Sequence, residues 1–147
     1  MDTLQFSRTR ISELIDGLTV TQLNEIPKGI NTNIIWNVGH ILVSQQSFMY
    51  KRTGLPFTIK TDIIEKFKSG TKAETDISKE EIEYLKSILF EVLEQIKNDY
   101  NNNKFKQFDS FTTKRGVEIN TIEDAMSFHT FHEGVHLGWI WTIRRLV

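Results

Sequence analysis

The chain has 147 residues, among them 18 lysines and arginines, 19 aspartates and glutamates and no cysteine. Its length predicts a single domain over residues 1–147 that needs no structural metal, and the absence of cysteine excludes disulfides, thiolate metal sites and a protein-supplied thiol nucleophile. The balanced charge provides no field that would attract nucleic acid or anionic lipid, so neither is expected as a partner.

The amino-terminal segment, MDTLQFSRTRISELIDGL, carries charges throughout and lacks the long apolar run of a signal peptide or a membrane span. We therefore expect a cytoplasmic protein. The same segment places Leu4, Ile11, Leu14 and Ile15 on a helical repeat. This repeat predicts a first helix over residues 3–17.

The next part of the chain predicts a second helix and a long connection. Residues 19–33 contain a proline and a glycine, and we expect them to connect the first helix to the second. Asn33 is a plausible N-cap for that second helix, which is predicted over about 34–52. Residues 55–77 mix a short apolar run with serine, glycine and threonine. That composition predicts a long crossover containing one short helix.

Capping boxes mark the starts of the third and fourth helices. Ser78 is followed three residues later by Glu81, and the apolar residues behind them keep a helical spacing. A stretch with some β character then leads to Thr121 and Asp124, a second box that opens a helix over about 122–146. Four long helices without sustained strand alternation predict an all-α four-helix bundle, with a long crossover between helices two and three.

Three of the four histidines lie in the segment FHTFHEGVHLG of the last predicted helix. On a helical wheel His129, His132 and His136 fall within the apolar stripe, so they are expected to point inward. Burying an unpaired imidazole is costly, because its donor and its acceptor lose water together. A divalent cation would satisfy these rings, and His132 and His136 have the i, i+4 spacing with which a helix supplies two metal ligands.

The spacing leaves two interpretations of these histidines open. A metal site needs a further ligand from another helix, and the remaining histidine is His40 on helix two. His40 lies nearly opposite the strongest apolar arc of that helix, so the spacing does not require its burial. Alternatively, the histidines are hydrogen-bonded structural residues. Glu133 could accept a hydrogen bond from a ligating imidazole, or it could be solvated.

Several segments together resemble the DinB/YfiT-like superfamily of metal-binding four-helix bundles. They are TQLNEIP, NTNIIWNVGHI, and GVEINTIEDAMSFHTFHEGVHLGWIWTIRRL with its His-x-x-x-His pair. The resemblance implies that His40, His132 and His136 form a metal triad, with zinc or nickel as the usual ion. His129 lies outside that triad, as an outer partner, a substitute ligand or a structural residue. Where family members often have His-Arg-Gly-Gln, this chain has His-Leu-Gly-Trp, so the polar contacts of arginine and glutamine are absent.

The resemblance also implies an enzymatic function. Members of the superfamily include transferases and isomerases that use low-molecular-weight thiols such as bacillithiol, mycothiol or glutathione. We therefore expect a metal-dependent thiol S-transferase that acts on a small molecule, because three neutral imidazoles leave a divalent ion an open position. The alternatives are a metal-dependent hydrolase and a non-catalytic metal-binding or interaction protein. In the non-catalytic case Glu133, His129 or Tyr50 would close the fourth position.

The last predicted helix is apolar on more than one face. Outside its inward stripe it carries Phe128, Phe131, Gly134, Leu137, Gly138 and Trp141. A helix of this kind usually covers a second surface, so we expect a homodimer packed partly through it. The alternative is that helices one and three, together with the loop over 108–120, cover these side chains.

Overall fold

The computed structural model describes the backbone of residues 2–147 and the side chains of residues 3–147. Its elements in chain order are α1 (Asp2–Ile15), α2 (Val20–Asn24), α3 (Ile34–Met49), α4 (Thr61–Phe67), α5 (Lys79–Asn101), β1 (Phe111–Thr112), β2 (Glu118–Ile119) and α6 (Ile122–Arg144). The four long helices α1, α3, α5 and α6 form the bundle, and the two short strands pair as an antiparallel hairpin. The prediction of an all-α bundle is confirmed.

One of the two connections into and out of α3 agrees with the prediction, and the other contains a helix that was not predicted. Between α3 and α5 the chain forms a 3-10 turn and then α4, which matches the predicted crossover with one short helix. Between α1 and α3 it forms α2, where only a connection was expected. Thr19 starts α2: its Oγ1 accepts from the Gln22 N–H at 3.2 Å, and Gln22 Oε1 accepts from the Thr19 N–H at 3.1 Å. This reciprocal pair satisfies donors that a first helical turn leaves free.

Both predicted capping boxes are present. Ser78 Oγ accepts from the Glu81 N–H at 3.2 Å, and Glu81 Oε2 accepts from the Ser78 N–H at 3.1 Å. Thr121 and Asp124 exchange the same two bonds, at 3.1 and 3.0 Å. Each box supplies side-chain acceptors to two backbone N–H groups that have no partner inside the helix. The boxes thereby fix the residues at which α5 and α6 begin.

Helix α3 lies at the centre of the packing. Helix α6 packs mainly against α3 and α1, and α5 packs against the same two helices. Every residue of α3 is buried except Trp36, Ser47 and Phe48, which are half-buried. His40 is therefore buried although it lies opposite the strongest apolar arc. No helix within residues 2–147 combines the length and the apolar character needed to cross a membrane.

The outer face of α6 remains largely uncovered. Phe131 is 68 % exposed and Trp141 46 % exposed, and Val135 and Trp139 lie on the same exposed side of the helix. Phe128, in contrast, packs edge-on against a phenylalanine of α3, and Leu137 packs against the main core. The bundle therefore covers part of the apolar surface that the sequence predicted and leaves the rest in contact with solvent.

We propose that this uncovered face of α6 pairs with a second copy of the chain. The protein is expected to sediment as a dimer at micromolar concentration, and Phe131→Glu is expected to convert it to a monomer, because the charge would be buried without a partner. Glu91→Lys, at an exposed position of α5, is the matched control and should stay dimeric. A monomeric wild-type protein would contradict the proposal.

Candidate metal centre

Three histidines meet between α3 and α6. One ring nitrogen from each of His40, His132 and His136 lies within 4.8 Å of the other two. The ring centroids are 5.3 Å apart for His40 and His132, 4.9 Å for His40 and His136, and 4.6 Å for His132 and His136. His132 and His136 stand one above the other because positions i and i+4 share a helix face. The structure thus brings together the three side chains that the resemblance implied.

His40 is oriented by a backbone carbonyl and an indole. Its Nδ1 lies 2.8 Å from the carbonyl oxygen of Phe67, at the end of α4. Because a carbonyl only accepts, Nδ1 carries the proton and the neutral ring keeps its lone pair on Nε2. Trp36 stacks on the ring with centroids 4.6 Å apart and planes 10° from parallel. Ser44 Oγ lies 3.2 Å from Nε2, where its hydroxyl can donate to the lone pair.

Gly39 allows α4 to approach α3 closely enough for this contact. A Cβ atom at position 39 would lie 2.5 Å from the ring of Phe67, far inside van der Waals contact. The Phe67 side chain is fully buried and packs into the space that glycine leaves. The residue next to His40 therefore determines how close the Phe67 carbonyl can come to the imidazole.

His136 is oriented by a side-chain amide. Asn37 Nδ2 donates to the Asn33 carbonyl at 2.7 Å and to Thr32 Oγ1 at 2.9 Å, which turns the Asn37 carbonyl oxygen towards His136. That oxygen lies 2.7 Å from His136 Nδ1. Nδ1 therefore donates, and Nε2 keeps the lone pair. His40 and His136 thus reach the same tautomer through different acceptors.

Burial keeps the three imidazoles neutral. Burial and the neighbouring His136 lower the pKa of His132 from 6.5 to about 3. Burial and the neighbouring His40 lower the pKa of His136 from 6.5 to about 4. Burial is also the main reason that the pKa of His40 lies below its ordinary value. Lone pairs are therefore available to a cation at neutral pH without loss of a proton.

The cluster fits a divalent cation. Nδ1 of His132 is buried and has no hydrogen-bond partner within the described part of the chain, so the protein's own groups leave the cluster incompletely satisfied. Three imidazoles are a common donor set for zinc, with each nitrogen about 2.0–2.1 Å from the ion. Small ring movements would bring nitrogens that lie within 4.8 Å of one another to such distances. Of the His, Asp and Glu side chains of residues 3–147, none joins the three as a fourth.

A buried ion pair lies beside the triad. Arg8 and Glu133 are both fully buried, and Arg8 Nε donates to Glu133 Oε1 at 2.8 Å. Arg8 also donates to the Leu89 carbonyl at 3.0 Å and to Gln45 Oε1 at 3.2 Å. Burial alone would raise the pKa of Glu133, but the Arg8 guanidinium and His129 lower it to about 2. The pair therefore holds a full positive and a full negative charge inside the bundle.

None of the three side chains considered for a fourth ligand reaches the triad. Glu133 is turned towards Arg8, and the interpretation of Glu133 as a solvated residue is wrong because its side chain is fully buried. Tyr50 donates to Asp99 at 2.7 Å. His129 is fully buried outside the ligand group, with its Nε2 3.3 Å from Glu133 Oε2 but not aligned for a hydrogen bond. These three side chains would therefore not supply a fourth ligand to an ion at the triad.

A cavity of about 220 Å³ opens beside the triad, and we call it the entrance cavity. Its walls include His136, Asn37, Trp36, Lys72 and Trp139. A larger cavity of about 510 Å³ adjoins it and shares Trp36 and Lys72. A small molecule therefore has a route from solvent to the side of a triad ring.

The sequence model of the DinB superfamily matches residues 3–140, a span that contains all three triad histidines. The chain belongs to the DinB superfamily. No curated protein matches the chain. With the family and the cluster together, the molecule is a DinB-superfamily protein with a three-histidine site that could hold a metal ion.

Several residues that build the site of this DinB-superfamily protein were not predicted. Arg8 lies on the apolar stripe of α1 and Glu133 on the inward stripe of α6, and two opposite charges at such positions were a signal for a buried pair. Asn37 precedes His40 by three residues, and the helical repeat does not indicate that it would contact His136. The contact of the Phe67 carbonyl with His40 could not be predicted, because every residue has a backbone carbonyl and the pattern of side chains does not indicate which one is used.

Metal-free DinB-superfamily protein is expected to lose stability as the pH falls below about 6.5. The folded state keeps His132 and His136 neutral down to pKa values of about 3 and about 4, whereas the unfolded chain protonates them near 6.5. The unfolded state therefore binds more protons in this window, and acid favours unfolding. The urea concentration at the unfolding midpoint, measured with a chelator present, should decrease as the pH is lowered from about 7 to about 5. This range lies above the one in which ordinary carboxylates titrate. A midpoint that stays constant over that range would contradict the neutral, buried triad.

Proposed function

We propose that this protein is a cytoplasmic, divalent-metal-dependent transferase. It would join a low-molecular-weight thiol of the bacillithiol, mycothiol or glutathione type to a small electrophilic molecule, with zinc or nickel held by His40, His132 and His136. A divalent cation lowers the pKa of a coordinated thiol and so supplies a thiolate at neutral pH. The protein's own groups then have to orient the triad, admit the thiol and limit the access of water.

The entrance cavity is the observation that supports this proposal most directly. A structural site is closed by four protein ligands, whereas a catalytic site keeps one position for water or substrate. Here the triad has no fourth His, Asp or Glu ligand within residues 3–147, and His136 itself forms part of a cavity wall. The cavity reaches one of the three triad rings, and access of this kind is what a site for an outside ligand requires.

The side chains of the entrance cavity suit a thiol that also carries a carboxylate. Lys72, which carries an ammonium group, lines the cavity, and Trp36 and Trp139 supply aromatic surfaces. Trp139 stands where family members often have glutamine, so the wall presents an indole at this point in place of an amide. Asn37 holds His136 through Oδ1 and would keep that ring in place while substrates exchange. We therefore expect an electrophile with an apolar body.

The proposal is tested by thiol-dependent conjugation of monochlorobimane by protein reconstituted with zinc or with nickel. Bacillithiol, mycothiol and glutathione are compared, and the expected result is turnover with at least one of them that requires the ion. His132→Ala should abolish turnover, because two imidazoles do not hold the ion firmly. Metal-loaded protein that turns over none of the three thiols would contradict a transferase and favour the hydrolase or non-catalytic alternatives.

A matched pair of lysine variants separates substrate binding from metal binding. Lys72→Gln removes the ammonium group of the entrance cavity, and Lys114→Gln removes an exposed one in the hairpin loop. Lys72→Gln is expected to raise KM for the thiol severalfold at unchanged kcat and metal content, since a single exposed charge contributes about 1 kcal/mol or less. Lys114→Gln is expected to change neither constant. Equal KM values for the two variants would contradict the assigned thiol position.

A further inference from the structure

A second cavity, of about 460 Å³, lies among α1, α3, α5 and α6, and we call it the Gln45 cavity. Its walls are mostly apolar and include Leu4, Met49, Leu93 and Met126. No triad histidine and no wall residue of the entrance cavity belongs to it. Its volume is in the range of cavities that enclose small ligands, about 300–1,000 Å³. The Gln45 cavity is therefore a separate site of suitable size.

Gln45 gives this apolar cavity one fixed polar group. The residue lines the cavity, yet its side chain is fully buried. Its Oε1 accepts from Arg8 Nη2 at 3.2 Å, and because arginine only donates, this contact fixes which end of the amide is oxygen. Nε2 consequently points away from Arg8 and has no hydrogen-bond partner within residues 3–147. A buried donor left without an acceptor is unfavourable, so this NH₂ group is ready to bind one.

The charges around Gln45 restrict the kind of acceptor that fits. Arg8 is the cation beside it: three of its five N–H groups bond Glu133, the Leu89 carbonyl and Gln45, and its charge is balanced by the Glu133 carboxylate. A carboxylate next to Gln45 would therefore be buried without a free cation, at a high cost. At the rim, Lys97 is engaged with Glu94 at 2.7 Å. A neutral oxygen is the acceptor that this environment favours.

We propose that the Gln45 cavity binds a small molecule with an alkyl or aryl body and a neutral carbonyl oxygen at its inner end. The body would occupy the apolar walls, and the carbonyl would accept from Gln45 Nε2. This site is distinct from the proposed transferase site and does not depend on a bound metal. Ketones, amides and esters belong to this ligand class, whereas fatty acids do not.

The probe for this site is prodan, an uncharged naphthyl ketone whose fluorescence shifts to the blue in apolar surroundings. Prodan is titrated into the full-length protein with and without zinc, and saturable blue-shifted emission is expected in both states. Methyl heptyl ketone, nonane and nonanoate are then compared as competitors. The ketone is expected to compete about tenfold more strongly than nonane, the gain of one hydrogen bond to a buried donor. Nonanoate should compete less well than the ketone.

Two variants test whether prodan binds in the Gln45 cavity and whether Gln45 Nε2 is the hydrogen-bond donor. Ser127→Trp places an indole at the rim from an exposed position of α6 and should abolish the saturable shift, whereas Thr142→Trp, exposed on the same helix and outside the cavity wall, should leave it intact. Gln45→Glu keeps an acceptor for Arg8 and removes the NH₂ group. It should weaken the ketone about tenfold and leave nonane unchanged.

Three outcomes would overturn the proposal, and none depends on transferase activity. The first is the absence of saturable prodan binding. The second is binding that Ser127→Trp does not weaken, which would place the probe elsewhere. The third is equal competition by ketone, nonane and nonanoate, which would show that the ligand carbonyl makes no hydrogen bond with Gln45 Nε2. Should Gln45→Glu fail to fold, the competitor series on the wild-type protein still decides the question.

Discussion

Replacing Arg8 with methionine is expected to lower the free energy of unfolding by about 3–5 kcal/mol, because it leaves a buried carboxylate without its partner. Both side chains of the Arg8–Glu133 pair are fully buried. Methionine retains most of the length and the apolar stem of arginine, so the change reports mainly the lost charge and hydrogen bonds. Urea unfolding followed by circular dichroism measures the effect, with an unchanged m value as the sign of intact two-state behaviour.

Two further variants test whether the loss of stability in Arg8→Met comes from the buried ion pair. Arg10→Met on the exposed side of α1 is the matched control, since Arg10 pairs with the half-exposed Glu13, and it should cost about 1 kcal/mol or less. The double variant Arg8→Met with Glu133→Met should recover most of the loss, because apolar replacements for a buried pair are often nearly neutral. Equal losses for Arg8→Met and Arg10→Met would contradict the role of the buried pair.

Replacing His132 with alanine is expected to lower the affinity for zinc by more than about a hundredfold. Losing only an outer partner of a ligand costs about 10–100-fold, and loss of a ligand should cost more. The His132 ring lies close to both other triad rings, at centroid distances of 5.3 Å from His40 and 4.6 Å from His136. Titration calorimetry with a competing chelator measures the affinity.

His129→Phe is the control for the His132 experiment. His129 lies on the same helix and is fully buried, but it stands outside the ligand group. A phenyl ring keeps most of its volume, so zinc affinity is expected to stay within about tenfold of wild type, the lower limit for a lost outer partner. If His129→Phe lost as much affinity as His132→Ala, the ligand set would have to include His129.

The long helices were predictable because local signals agree with the packing. The boxes at Ser78 and Thr121 mark the observed starts of α5 and α6, and the apolar repeats identify their buried faces. The predicted ends are less accurate: α1, α3 and α6 stop two or three residues before the predicted ends, at Ile15, Met49 and Arg144. A repeat of apolar residues continues into the following turn, and only hydrogen bonding shows where the helix ends.

The candidate site was only partly predictable. The i, i+4 pair His132 and His136 follows from the helical repeat. The position of His40 required the resemblance, because α3 is enclosed on nearly every side by α4, α6 and the other helices, and a wheel drawn for one helix carries no information about its neighbours. The contact between Asn37 and His136 joins residues 99 positions apart. Such contacts depend on how the helices dock, which no local pattern encodes.

Diffraction from crystals grown with zinc, recorded on both sides of the zinc absorption edge, shows directly whether the three histidines bind an ion. We expect one strong anomalous peak between α3 and α6, with nitrogens of His40, His132 and His136 about 2.0–2.1 Å from it and a non-protein ligand in the remaining position. Zinc found only at surface carboxylates, with the three imidazoles left unligated, would contradict a metal centre in this bundle.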